Sequence, residues 1–230
     1  MAITWLTAFV DVPAAPYAKS VAFWSAVTGS TLSPARGTAA EFATFLPPDG
    51  DPYLRIQRVD RGRGGVHLDL HDPDHEFAIV TSPGGFVHCE VSGEESTRPV
   101  PRLWAGGHTS LVDQITLDIP PAQYAEECAF WAARTGWDLH ETRRPELRYL
   151  QRPEDQPLRI LLQRLDEADG PARAHLDIAT SDRALETGRH RDLGAGVLRV
   201  RERWTVMTDP AGTPYCITER DPYTGEVSGR

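Results

Sequence analysis

Two histidine and aspartate pairs at a spacing of two are the side chains of this sequence best suited to chemistry. One is His175 and Asp177 in AHLDI at 174–178; the other is His67 and Asp69 in VHLDL at 66–70. Successive side chains of a strand alternate faces, so each histidine shares a face with the carboxylate two residues on. An imidazole beside a carboxylate can serve as a general base with its orienter, or can grip a polar ligand. The same aspartate can equally fix a histidine tautomer or cap a turn. Cys216, placed in one hollow with His175, would add a thiolate to an imidazole, a pairing that favours zinc or another soft ion. Two such donors fall short of a full site, and a cysteine closing a strand as a small apolar residue fits the same position.

These residues sit in a duplicated chain. AFWSAVTGSTL at 22–32 returns as AFWAARTGWDL at 129–139, an offset of 107, and the histidine segments repeat at an offset of 175 − 67 = 108. A third echo, VTSPGGFVHCEV at 80–91 and MTDPAGTPYCIT at 207–218, runs at 209 − 82 = 127, so the first copy lacks 127 − 108 = 19 residues between its histidine strand and its last strand. An internal repeat fixes the architecture before any motif does. Two copies in 230 residues also make two domains the natural count, with bounds at 1–92 and 110–222, a linker at 93–109 and a tail at 223–230.

Each copy opens with an alternating strand ended by proline, at 3–12 and 111–119. A helix follows at 17–28 and 123–135, with Gly29 and Gly136 in the stop position. Phe23 with Trp24, and Phe130 with Trp131, read as plugs between helix and sheet. Short strands come next, at 41–46 and 53–59, and again at 147–151 and 159–165, separated by proline and aspartate turns. The second copy continues with a strand at 174–179, a helix at 182–193 and three more strands. In the first copy, HDPDHE at 71–76 leads almost directly into Phe77, which predicts a half-module without its own helix. Residues 92–109, rich in proline, glycine and charge, read as an exposed linker.

A net charge of −9 and a pI near 5.4 exclude a nucleic-acid or anionic-membrane surface as the main partner. Three cysteines, Cys89, Cys128 and Cys216, form no close-spaced framework and point to a reducing, cytoplasmic setting. Lys19 is the sole lysine, so basic charge is nearly all arginine; this reads as compositional bias and carries little functional weight. His71, His75, His88, His108, His140 and His190 share no spacing and read as surface or turn residues.

The paired βαβββ plan, the FW helix ending in TG, the strand opening on HLD and the last strand after DPAG together resemble the vicinal oxygen chelate superfamily, in its glyoxalase-like, bleomycin-resistance and dioxygenase group. The resemblance implies an α+β fold of paired βαβββ modules in cupped mixed sheets, two tandem domains with the first truncated, whose hollows often hold a divalent metal such as zinc, iron, manganese or nickel. Carried over residue by residue, the ligand positions fall on Gln114, Gln163, His175 and Cys216 in the second copy and on Thr7, Gln57, His67 and Cys89 in the first. Both acidic ligands of the family pattern are replaced, so no cofactor is assigned with certainty. Gln114, His175 and Cys216 make the metal candidate, and His175 with Asp177 the catalytic one. Thr7, Phe9, Gln57, His67, Asp69, Gln114, Thr116 and Gln163 are the ligand-binding candidates. Trp5, Phe9 and Tyr53 are expected along the first hollow, and Trp137, Tyr149 and Tyr215 along the second.

Three functions compete. A groove that sequesters a small organic molecule is favoured by the missing carboxylates. A metal-dependent lyase, isomerase or dioxygenase using His175 and Gln114 is the alternative, and a degenerate scaffold making protein contacts is the third. A homodimer would cover the strand edges that the truncated module leaves open.

Overall fold

The computed structural model describes residues 3–227 apart from positions 61, 63, 75, 94, 168 and 169. The placement of His75 and the end of the tail lie outside the described residues.

The first copy runs β1 (Trp5–Pro13), α1 (Tyr17–Thr28), β2 (Thr31–Leu32), β3 (Phe42–Leu46), β4 (Leu54–Val59), β5 (Gly65–His71), β6 (Ala78–Thr81) and β7 (Val87–Val91). After β8 (Arg102–Leu103), the second copy runs β9 (Thr109–Ile119), α2 (Tyr124–Thr135), β10 (Leu139–Glu141), β11 (Leu147–Leu150), β12 (Arg159–Arg164) and β13 (Arg173–Thr180). It then adds α3 (Arg183–Asp192), β14 (Gly196–Val200), β15 (Trp204–Thr208) and β16 (Pro214–Thr218). Each copy builds one mixed sheet, in the order β2-β3-β4-β1-β5-β7-β6 and β10-β11-β12-β9-β13-β16-β15-β14, with β8 added to β9. The fold is thus α+β, two tandem segments of the same plan.

The helices begin and end for local reasons. Gly29 and Gly136 close α1 and α2 in the left-handed region, at φ 66° and 72°, where a side chain would be strained. Asp182 caps α3 by accepting from the Leu185 N–H at 2.9 Å. Among the described residues no helix forms between β5 and β6, so the segment corresponding to α3 and β14 is what the first copy lacks.

β1 and β9 lie at the centre of their sheets and are buried along nearly their whole length. Each pairs in parallel with the fourth strand of its own module and antiparallel with the histidine strand of the next. The register matches in the two copies up to a bulge after Asp177. Thr7 faces Asp69 and Phe9 faces His67, as Gln114 faces Asp177 and Thr116 faces His175.

The helices reach across the join between the copies. Trp24 of α1 packs on Tyr215 of β16, ring centroids 5.3 Å apart, and donates to Asp209 at 3.0 Å. Trp131 of α2 packs in turn on Phe86 and on His88 of β7. Both tryptophans are buried, and the apolar core is one continuous cluster across both sheets.

The segment between the copies is held in place, contrary to its exposed, linker-like composition. Asp51 accepts from the Ser96 and Thr97 N–H groups at 2.9 Å, Asp49 accepts from Val100, and β8 pairs with β9. The histidines read as surface residues also differ: His71, His88, His108 and His190 are buried, because folding supplies partners the sequence does not show. Glu186 receives both His108 (2.7 Å) and His190 (3.1 Å), Thr7 meets His71 at 2.9 Å, and His88 is enclosed by Phe130 and Trp131. His140 is exposed and stacks on Tyr149.

Candidate functional site

The concave face of the second sheet encloses a hollow of about 970 Å³. β9 contributes Gln114 and Thr116 to it, β12 contributes Arg159, Leu161 and Gln163, β13 contributes His175 and Asp177, and β16 contributes Cys216. They converge because period two sends alternate residues of four adjacent strands to one face.

His175 is held from both sides. Its Nδ1 meets Asp118 at 3.0 Å, while its Nε2 lies 3.3 Å from Asp177 Oδ1 and 3.6 Å from Cys216 Sγ. Burial opposes charge on the ring, but Asp118 and Asp177 outweigh it and hold the imidazole's pKa well above the ordinary histidine value. Burial likewise works to raise Asp177, yet His175, Arg220 and Thr116 prevail and keep it below the usual carboxylate range. Burial pushes the Cys216 thiol up against the opposing pull of His175. The floor of the hollow brings together an imidazole, a carboxylate and a thiol, with the imidazole's pKa raised, the carboxylate's lowered and the thiol's raised.

Gln114 joins this group to a second one. Its Nε2 donates to Asp177, and its Oε1 accepts from Arg159 at 2.7 Å and from Arg220. Arg220 is also paired with Asp113. Gln114 is thus engaged at both amide atoms, and Asp177 stands beside His175 and Cys216 as a further donor. The ligand atoms of His175, Asp177 and Cys216 all lie within 4.8 Å of one another. One nitrogen, one oxygen and one sulfur donor fit a four-coordinate ion with an open position better than a six-coordinate, oxygen-rich one. Asp118 on the far ring nitrogen is the partner that such a histidine ligand ordinarily has.

The first copy repeats the motif with a different outcome. His67 meets Asp11 at 2.7 Å, its Nε2 lies 3.9 Å from Asp69, and Asp69 is cross-strand from Cys89. Phe9 stacks on the His67 ring at 4.4 Å, and Arg55 lies over Phe9 and 3.7 Å from Asp69. Glu95, from the segment between the copies, reaches in to Arg55 at 3.5 Å and to His71 at 3.1 Å. Burial raises Asp69 above the usual carboxylate range and, with Asp69 beside it, pushes Cys89 up to about 11. Gln57 is cross-strand from Asp11, as Gln163 is from Asp118, so the expected equivalence of the two glutamines holds in the register.

Several aromatic residues expected along the hollows lie elsewhere. Tyr215 is one residue out of phase with Cys216, so it faces α1 and α3, where its hydroxyl meets His190 at 2.9 Å. Trp5, Tyr53 and Trp137 are enclosed in the core. Tyr149 sits beside the hollow with Arg159 stacked on it at 4.7 Å, and Trp204 is the aromatic residue that lines it.

Sequence reasoning missed Asp11 and Asp118, although FVDVP and TLDIP repeat them at an offset of 118 − 11 = 107. It also missed five arginines, Arg143, Arg144, Arg159, Arg203 and Arg220, which line the hollow from four separate stretches of chain.

The comparisons with known proteins agree with this fold. The structure is similar to the Mn(II)-bound glyoxalase from Novosphingobium aromaticivorans, with a TM-score of 0.63 and 17% identity over 98% of this chain and 86% of that one. It is also similar to 2,2',3-trihydroxybiphenyl 1,2-dioxygenase from Sphingomonas wittichii, with a TM-score of 0.60 and 14% identity over 94% and 90% of the two chains. At such identities the likeness concerns the fold. No curated protein matches the sequence. The model of the glyoxalase-like domain matches residues 7–100 and again 114–218, nearly the whole chain. The chain therefore belongs to the glyoxalase-like domain family, within the vicinal oxygen chelate superfamily.

Proposed function

We propose that the protein binds a small organic molecule in the hollow of its second sheet, and that the first sheet serves as its structural twin. The observation that carries this is the contrast between the copies. The second hollow has about 970 Å³ between His175, Cys216, Arg159 and Trp204, whereas in the first copy Phe9 stacks on His67 and the chain's own Glu95 sits beside Arg55. A concave site of this size with a few convergent polar groups suits a drug-sized molecule.

The test is a thermal-shift and calorimetric screen of small aromatic and aliphatic molecules against the wild type and Leu161→Trp, whose indole would project into the hollow. Binding weakened in Leu161→Trp, with the melting temperature retained, supports the reading. Affinity unchanged by the substitution counts against it.

The cluster at the floor favours a second reading, a metal-supported enzyme. His175 Nε2, Asp177 Oδ1 and Cys216 Sγ would hold the ion, with Asp118 orienting the imidazole. A divalent ion there would polarise a ligand oxygen bound at its open position. Elemental analysis of untagged protein, beside a His175→Ala, Cys216→Ala variant, decides it. About one equivalent of metal that the variant loses supports this reading. Absence of metal after incubation with zinc, manganese, iron and nickel leaves the organic-ligand pocket alone.

A further inference from the structure

The charge along the hollow runs against that of the chain. Asp and Glu outnumber Lys and Arg by 33 to 24 overall, but five arginines face four acids, Asp177, Glu219, Asp221 and Glu226, in the hollow. Two of those acids have partners of their own. Asp177 is 3.3 Å from His175, and Glu219 is bound at 2.8 Å by Arg183, which does not line the hollow.

The arginines differ in what they hold. Arg220 is bound to Asp113 and Gln114, while Arg144 lies over Trp204 and near Glu146 and Glu202. Arg159 is different. Its plane rests on Tyr149, its Nε donates to Gln114 Oε1, and its Nη1 and Nη2 donate to no described residue. Burial and the neighbouring Arg220 push its pKa down to about 9, against the opposing pull of Asp113 and Asp177. The paired Nη atoms of a fixed guanidinium match the two oxygens of a carboxylate or phosphate.

The first copy pairs an arginine of the corresponding strand with acids of the chain itself. Arg55 stands on β4, the counterpart of β12, at the register position of Leu161 and two residues along from that of Arg159, with Glu95 at 3.5 Å and Asp69 at 3.7 Å. No carboxylate of the described residues approaches Arg159 in that way.

We propose that the molecule held in the second hollow carries an oxyanion, a carboxylate or a phosphate, and that Arg159 is the residue that selects it. The inference rests on the reading of that hollow as a ligand site. Tyr149 and Gln114 hold the guanidinium plane, the Nη pair meets the oxyanion, and the organic part of the ligand lies towards Leu161 and Trp204.

The probes are 2-naphthoate, 2-naphthyl phosphate and neutral 2-naphthamide, titrated calorimetrically into the whole protein, into Arg159→Gln and Arg159→Lys, and into Leu161→Trp. We expect one or both anions to bind at least tenfold tighter than the amide; whichever is the tighter identifies the oxyanion. Arg159→Gln should erase the preference. Arg159→Lys keeps the charge without the fork, and should reduce the preference severalfold; it carries the test if the glutamine variant does not fold. Equal affinity for anions and amide, abolished by Leu161→Trp, overturns the selection of an anion while leaving the hollow as a ligand site. A preference that persists in both Arg159 variants removes Arg159 from the role. Failure of all three probes to bind counts against the hollow reading, and against this inference with it.

Discussion

Gln114 holds together more of the site than its neutral side chain suggests. One amide satisfies a buried carboxylate on one side and two guanidinium groups on the other. Replacing it by leucine leaves Asp177 Oδ2 one donor short and removes an acceptor from both arginines. Hydrogen bonds to charged groups contribute about 1.5–3 kcal/mol each, and a stranded partner adds its desolvation cost. We expect Gln114→Leu to lose about 3 kcal/mol in urea unfolding, and Gln114→Glu to disturb the site differently, by repelling Asp177 while drawing in the arginines. At this scale the sequence was legible where alternation governs. His175, Asp177, Thr116 and Cys216 share a face as their spacing requires. The arginines were not legible, since residues scattered from 143 to 220 carry no mutual signal until β10 to β16 curl around one space.

Among the elements, the packing of α2 on β7 is sensitive to acid. His88 is buried between Phe130 and Trp131, and neither ring nitrogen has a hydrogen-bond partner. Burial holds the ring neutral and pushes its pKa down to about 4 from an ordinary 6.5. The unfolded chain therefore takes up a proton between those values that the fold refuses, so stability falls as pH drops from about 6.5 towards 4. Urea midpoints measured across that window should decline in the wild type and decline less in His88→Leu. At neutral pH His88→Leu should be neutral or stabilising, because it replaces an unpartnered buried polar group with an apolar one of similar size. The order of strands and helices was readable from periodicity, proline and glycine. Which helix covers which sheet was not, because α1 and α2 carry the same FW signature and would fit either surface.

For the molecule as a whole, the exchange of helices across the join makes the two copies interdependent. Each sheet is built from one copy, yet Trp24 seals the second and Trp131 the first. Large-to-small substitution of a buried tryptophan costs about 3–5 kcal/mol. Trp24→Ala should therefore lower stability by that amount and disturb the region around Tyr215, almost two hundred residues away in sequence. Residues 1–109 and 110–230 expressed separately should each expose an apolar face and fail to fold cooperatively, and mixing them should restore the circular dichroism of the whole chain. Duplication was the plainest feature of the sequence, and it correctly foretold two similar sheets. It could not show that the copies close over each other.

The carboxylate of Glu95 gives this architecture a further meaning. Glu95 brings an acid of the chain itself beside the basic side chains Arg55 and His71 of the first copy. A duplicated receptor would ordinarily be bivalent, with the prospect of cooperativity between equal sites. On the proposed reading the twin keeps an acid of the chain beside its basic side chain, and the protein binds one ligand where a duplicated receptor would bind two.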